Sequence, residues 1–149
     1  MKRHPYLQPL SRQHHLGLVI AAKAKSCMDN PDDIDRHWTA LKDYLTTQIP
    51  THFDIEKTKI ADAIFAKSDN TTQVLADTML AEHEYIESLL TINNPTSDDV
   101  KKLANALYDH IRFEEREVFV VAQEVLSDTE LLAIYEASDE SVKRPHQKR

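Results

Sequence analysis

Residues 103–125 read LANALYDHIRFEEREVFVVAQEV, which places Leu103, Leu107, His110, Phe113, Glu114, Val118, Val121 and Val125 three or four positions apart or at sums of these. That recurrence puts side chains on one face of an α-helix. The face is apolar except at His110 and Glu114, which interrupt it from within. An amphipathic helix turns its apolar stripe toward its neighbours, so an imidazole and a carboxylate are directed into a protein interior.

Working outward, the same pattern occurs twice more. Trp38, Leu41, Leu45, His52, Glu56, Ile60 and Ala63 form one stripe, and Ala76, Met79, Leu80, His83, Ile86, Glu87 and Leu90 another. Each carries a His/Glu pair four residues apart near its middle. A buried carboxylate costs several kcal/mol unless it is paired or ligates a metal, and no Lys or Arg lies on these stripes near the pairs. A metal ion supplies the missing positive charge. Nitrogen and carboxylate oxygen without thiolate suit iron, manganese or zinc. On the segment upstream, His14 and His15 diverge by about 100° around a helix, so one of them points inward. Leu18, Val19 and Ala22 follow His15 at three, four and seven residues, against Gly17, Leu18 and Ala21 for His14. The more apolar face favours His15.

Breakers set the helix limits. Ser11 reads as the cap of a first helix reaching about Met28. Asn30 and Pro31 restart the chain as cap and first helical residue, and the second helix extends to about Ala66, with a kink or break expected near Ile49 to Thr51 because of Pro50. A third helix covers about Gln73 to Ile92. After the loop Asn93 to Ser97 a fourth runs to about Leu126, and Ser127 with Glu130 forms a capping box for a short fifth ending near Ala137. Short connections between long helices favour an all-α, antiparallel, up-down-up-down four-helix bundle with a short C-terminal helix. Residues 1–137 read as that domain, and 138–149 as a basic, disordered tail.

Composition narrows the function classes. One glycine in 149 residues argues against a Rossmann unit, a P-loop and most all-β folds. A formal charge of −7 leaves no basic footprint for nucleic acid. No segment reads as a signal peptide or membrane span, and the single Cys27 suits a reducing compartment, so a cytoplasmic protein without a membrane partner is expected. Glu-x-x-His, the ferritin-like diiron signature, does not occur. His4, His37 and His146 are expected at the surface, and Cys27 as a small buried apolar residue.

Four segments carry a family resemblance. Ser11-Arg-Gln-His-His15, His52-Phe-Asp-Ile-Glu56, Glu82-His83 and His110-Ile-Arg-Phe-Glu-Glu-Arg-Glu-Val-Phe119 are similar to the signature segments of the hemerythrin-like, or HHE cation-binding, family. The likeness covers about Leu10 to Leu126. It implies two non-haem iron ions in the bundle interior, joined by an oxo or hydroxo bridge and two carboxylates. Carried over by motif, the ligands are His15, His52, Glu56, His83, His110 and Glu114, with Glu56 and Glu114 bridging. The chain departs from the oxygen carriers of that family at Glu87, where they have histidine. As a further ligand, Glu87 is expected to favour ferric iron and oxidation over reversible oxygen carriage. Glu115 also falls where the carriers place an aspartate, but its direction is about 140° from His110 against about 40° for Glu114.

The resemblance implies a protein that binds or senses oxygen, nitric oxide or peroxide. An oxidase or peroxidase-type diiron enzyme and an iron storage or donation protein are the alternatives. A helical interaction module without metal is the reading the His/Glu pairs disfavour.

Overall fold

The computed structural model describes residues 2–67 and 70–144, and among them every regular element is helical. Helix α1 is Gln8–Ala24, α2 spans residues 31–66, and α3 is Asn70–Leu89. Helix α4 spans residues 97–125, and α5 is Asp128–Ala137.

The caps explain most of these limits. Asn30 accepts the Asp33 N–H with Pro31 at the first helical position, while Thr96 with Asp99 and Ser127 with Glu130 make reciprocal capping boxes. Helix α1 starts earlier than expected. A 3₁₀ turn, Pro5–Leu7, is capped by the His4 ring and leads straight into it. Ser11 therefore lies inside the helix, where its hydroxyl donates to Glu115 at 2.8 Å.

Pro50 does not break α2. One turn earlier, at Tyr44–Gln48, the helix widens so that the Ile49 N–H reaches back five residues to the Tyr44 carbonyl. The wider turn makes room where the proline ring would otherwise meet a carbonyl of the preceding turn. Two more π turns occur at Glu56–Ala61 and Glu114–Val118. Each adds a residue to its turn and rotates the helix beyond it. After Glu114 the buried positions are accordingly Val118, Phe119 and Ala122, while Val121 and Val125 are only half-buried.

Two apolar clusters fill the interior. One gathers Ala21 and Ala24 from the end of α1, Trp38 and Leu41 from the start of α2, Ile86 and Leu89 from the end of α3, and Leu103 and Leu107 from the first half of α4. The other joins Leu7 and Leu10 to Ile60 and Ile64 of α2, Ala76 and Met79 of α3, and Val118 and Phe119 of α4. The start of each long helix thus meets the end of its chain neighbour, which is compatible with an antiparallel arrangement. Each fully buried large aliphatic side chain contributes roughly 1.5–3 kcal/mol. Between the clusters lies a layer of buried histidine and glutamate.

Cys27 is buried, as expected. In the segment that the sequence reading assigns to a tail from residue 138, Ser138 is buried and donates to the Ile134 carbonyl, and a 3₁₀ turn follows at Glu140–Val142. Arg12 holds that turn through the Val142 carbonyl at 2.6 Å. His4 and His37 are half-buried; His146 and the end of the chain from residue 145 lie outside the described residues. Among the described residues no helix is long and apolar enough to cross a membrane.

Candidate metal centre

Six buried side chains meet in the polar layer: His14 from α1, His52 and Glu56 from α2, His83 from α3, and His110 and Glu114 from α4. His14, His52, Glu56 and Glu114 offer ligand atoms all within 4.8 Å of one another, and so do Glu56, His83, His110 and Glu114. The two groups share both carboxylates. Glu114 lies 2.8 Å from the Nε2 atoms of His14 and His110 and 3.0 Å from that of His83. Glu56 lies 3.0 Å from His52 Nε2 and 3.1 Å from His83 Nε2.

Local structure sets these positions. His52 with Glu56 and His110 with Glu114 are one helical turn apart, and a π turn begins at each glutamate. Three histidines are held by their outer nitrogen. Gln13 Oε1 lies 2.8 Å from His52 Nδ1, Glu115 Oε2 2.6 Å from His14 Nδ1, and Glu82 Oε1 2.7 Å from His110 Nδ1. A partner at Nδ1 fixes the ring and aims Nε2 inward, the usual device for orienting an imidazole ligand. Ser11 and Arg3 bind Glu115 in turn. His83 has no Nδ1 partner among the described residues; its ring lies flat on Phe53, with centroids 3.7 Å apart. Gly17 lets α1 approach α2 closely enough for the Tyr44 hydroxyl to donate to the Gln13 carbonyl at 2.8 Å.

Burial alone would lower the pKa of His52 and His110, but the Glu56 and Glu114 carboxylates outweigh it and raise them to about 9 and about 10. His14 and His83 are raised by the same opposition. Burial pushes Glu114 up, yet the surrounding imidazoles carry it well below the ordinary carboxylate range. Metal-free, the layer draws protons onto its histidines to neutralise its carboxylates.

Glu56 Oε1, Glu114 Oε1 and His110 Nε2 nevertheless make close ion-pair contacts without an aligned hydrogen bond. His110 Nε2 and Glu114 Oε2 stand 2.8 Å apart without hydrogen-bond alignment. Imidazole nitrogens and carboxylate oxygens brought this close suit a cation that would displace the imidazole protons. The residues fit metal ions of the class that takes imidazole and carboxylate.

His52, Glu56, His83, His110 and Glu114 are thus brought together. The histidine of α1 in the layer is His14, not His15, which is exposed. The small side of α1 is the buried one, because Gly17 and Ala21 admit the neighbouring helices more closely than Leu18 and Val19 could. Glu87 is not in the layer either. The buried stripe of α3 runs through Met79, His83, Ile86 and Leu89 and so steps away from Glu87, which stands exposed on a groove beside His83.

The orienting residues Gln13, Glu82 and Glu115 escaped the stripe reading, because each lies beside a stripe rather than on it. Adjacency marks all three, since each directly precedes or follows a cluster residue in the chain, and Glu115 also stands where the oxygen carriers of the resembling family place an aspartate. Comparison with protein-family models, curated proteins and solved structures finds no match in any of the three.

Proposed function

We propose that the chain is a hemerythrin-like protein in which an antiparallel four-helix bundle holds two non-haem iron ions and presents them to a small ligand such as oxygen, nitric oxide or peroxide. The observation that carries this reading is the sharing of Glu56 and Glu114 between two four-residue groups. One set would be His14 and His52, the other His83 and His110, with both carboxylates common to the two.

Iron bound there would supply redox chemistry and coordination positions that the protein does not fill. The chain's own residues do the rest. Glu56 and Glu114 offset the charge of the ions, while Gln13, Glu82 and Glu115 keep the imidazole rings turned inward. Burial limits what can arrive: the side chains of His14, His52, His110, Glu56 and Glu114 are at most 2% exposed, so a bulky organic substrate does not reach them directly. The small size of the admissible ligand favours binding or sensing over turnover of a large substrate.

The test is spectroscopic. Iron-loaded protein prepared under nitrogen is exposed in turn to nitric oxide, oxygen and peroxide. A new absorption band saturating at a fixed ratio of ligand to chain is expected. A chain that holds its iron and responds to none of the three would leave storage as the better reading.

A further inference from the structure

A groove of about 760 Å³ lies between α2 and α3 and is lined by His83. Its apolar lining includes Leu45 of α2, Leu80 of α3 and Leu90 just beyond α3. Its rim is charged: Asp54, Glu84 and Glu87 stand against the single ammonium of Lys57, and all four are exposed.

The inner end of the groove is distinctive. Phe53 is half-buried and lies parallel to His83, with an interplanar angle of 5°. It also meets His110 edge-on at 5.8 Å and His52 at 6.2 Å. The side chain of His83 is 5% exposed, more than any other residue of the layer. Among the described residues its Nδ1 has no protein partner, whereas Gln13, Glu115 and Glu82 hold those of the other three. The two halves of the layer are therefore unlike. The His14 and His52 half is tied down at both rings, and the His83 and His110 half borders the groove through its least constrained ring.

Resting on the diiron reading, we propose that the groove is the route by which a small uncharged ligand reaches the His83 and His110 half. Phe53 is its gate, and the carboxylate rim is a filter against anions. An apolar passage favours a neutral diatomic molecule, while a rim of net negative charge lowers the local concentration of an anion by an amount that salt screens. Phe53 must turn off the His83 ring to open the inner end. Glu87 acts on the rim, as one of the charges an incoming ligand passes.

Full-length, iron-loaded protein tests this with two probes, nitric oxide as the neutral ligand and azide as the anion. Leu80→Trp, which fills the passage, is expected to slow nitric oxide association by about tenfold or more, and Phe53→Leu to speed it by a similar factor, with iron content unchanged. Glu84→Gln combined with Glu87→Gln is expected to speed azide at low salt and leave nitric oxide unaffected, the difference vanishing at high salt. A second readout needs no metal: xenon added to the metal-free chain is expected to shift the methyl resonances of Leu45, Leu80 and Leu90, and to lose that effect in Leu80→Trp. Should Leu80→Trp lose iron, Leu90→Trp carries the same kinetic test. Unchanged nitric oxide rates in an iron-loaded Trp variant, with no xenon response at these methyls, would overturn the route and leave the diiron reading standing. A parent chain that binds no iron would overturn both.

Discussion

Neighbouring histidines on α1 show how a single residue decides the site. His14 is buried against Glu114 and Glu115, and His15 is exposed beside it. Hydrophobicity favoured His15, because larger apolar residues follow it on its face. Closeness decided instead for the side bearing Gly17 and Ala21, and how near two helices come is not written in one helix alone. His14→Ala is expected to weaken iron binding more than about 100-fold, beyond what loss of an outer hydrogen-bond partner costs. His15→Ala should leave it within error, and metal titration of the two variants checks this. The reverse order would return the ligand to His15. The other histidines and the two glutamates were legible because their stripes are otherwise apolar, so a polar pair stands out. Glu87 misled for the same reason, since it shares the four-residue spacing but sits where the stripe of α3 turns toward Ile86.

At the scale of the helix, the caps Asn30 and Ser127 were legible, whereas Ser11 proved to lie inside α1 and the π turns were not foreseen. Asn30 and Ser127 mark helix starts by side-chain chemistry that is local to a few residues. The three π turns depend on hydrogen bonds five residues long; one precedes Pro50, and the other two begin at Glu56 and Glu114. Pro50 marks the first of them in the sequence, where a kink or break was expected, and the helix passes it through the π turn without breaking. The close approach of α1 to α2 gives a direct test in Gly17→Ala. Helix propensity alone would gain about 1 kcal/mol from the change. The new Cβ, however, would stand 2.7 Å from Ile111 Cδ1 and closer still to the Tyr44 hydroxyl, which Gln13 holds in place. Overpacking of this kind costs roughly 1–3 kcal/mol, so a net loss of stability is expected in thermal or denaturant unfolding. A stabilised variant would show that the contact yields easily.

Across the whole molecule, a charged layer separates two apolar clusters, and its protonation is linked to folding. Histidines whose folded pKa stands at about 9 and about 10, against an ordinary 6.5, stabilise the metal-free fold fully below pH 6.5. That contribution is lost as pH rises through 9 and 10. Glu114, held low, contributes above its ordinary 4.5 and loses that on acidification. The melting temperature of metal-free protein is therefore expected to fall from pH 6.5 to 10 and also below 4.5, as circular dichroism would follow. A melting temperature rising across the alkaline range would contradict the protonated layer. Metal changes the sign, because bound ions displace those protons and bind better as pH rises.

We propose that this layer is a site for two ions sharing Glu56 and Glu114. Anaerobic titration of the metal-free chain with ferrous ion, followed by elemental analysis after desalting, measures it directly. The expected result is two irons retained per chain, one for each four-residue group, with Glu56→Ala and Glu114→Ala each losing one or both. A folded chain that retains no iron, or keeps both ions in the two alanine variants, would contradict it.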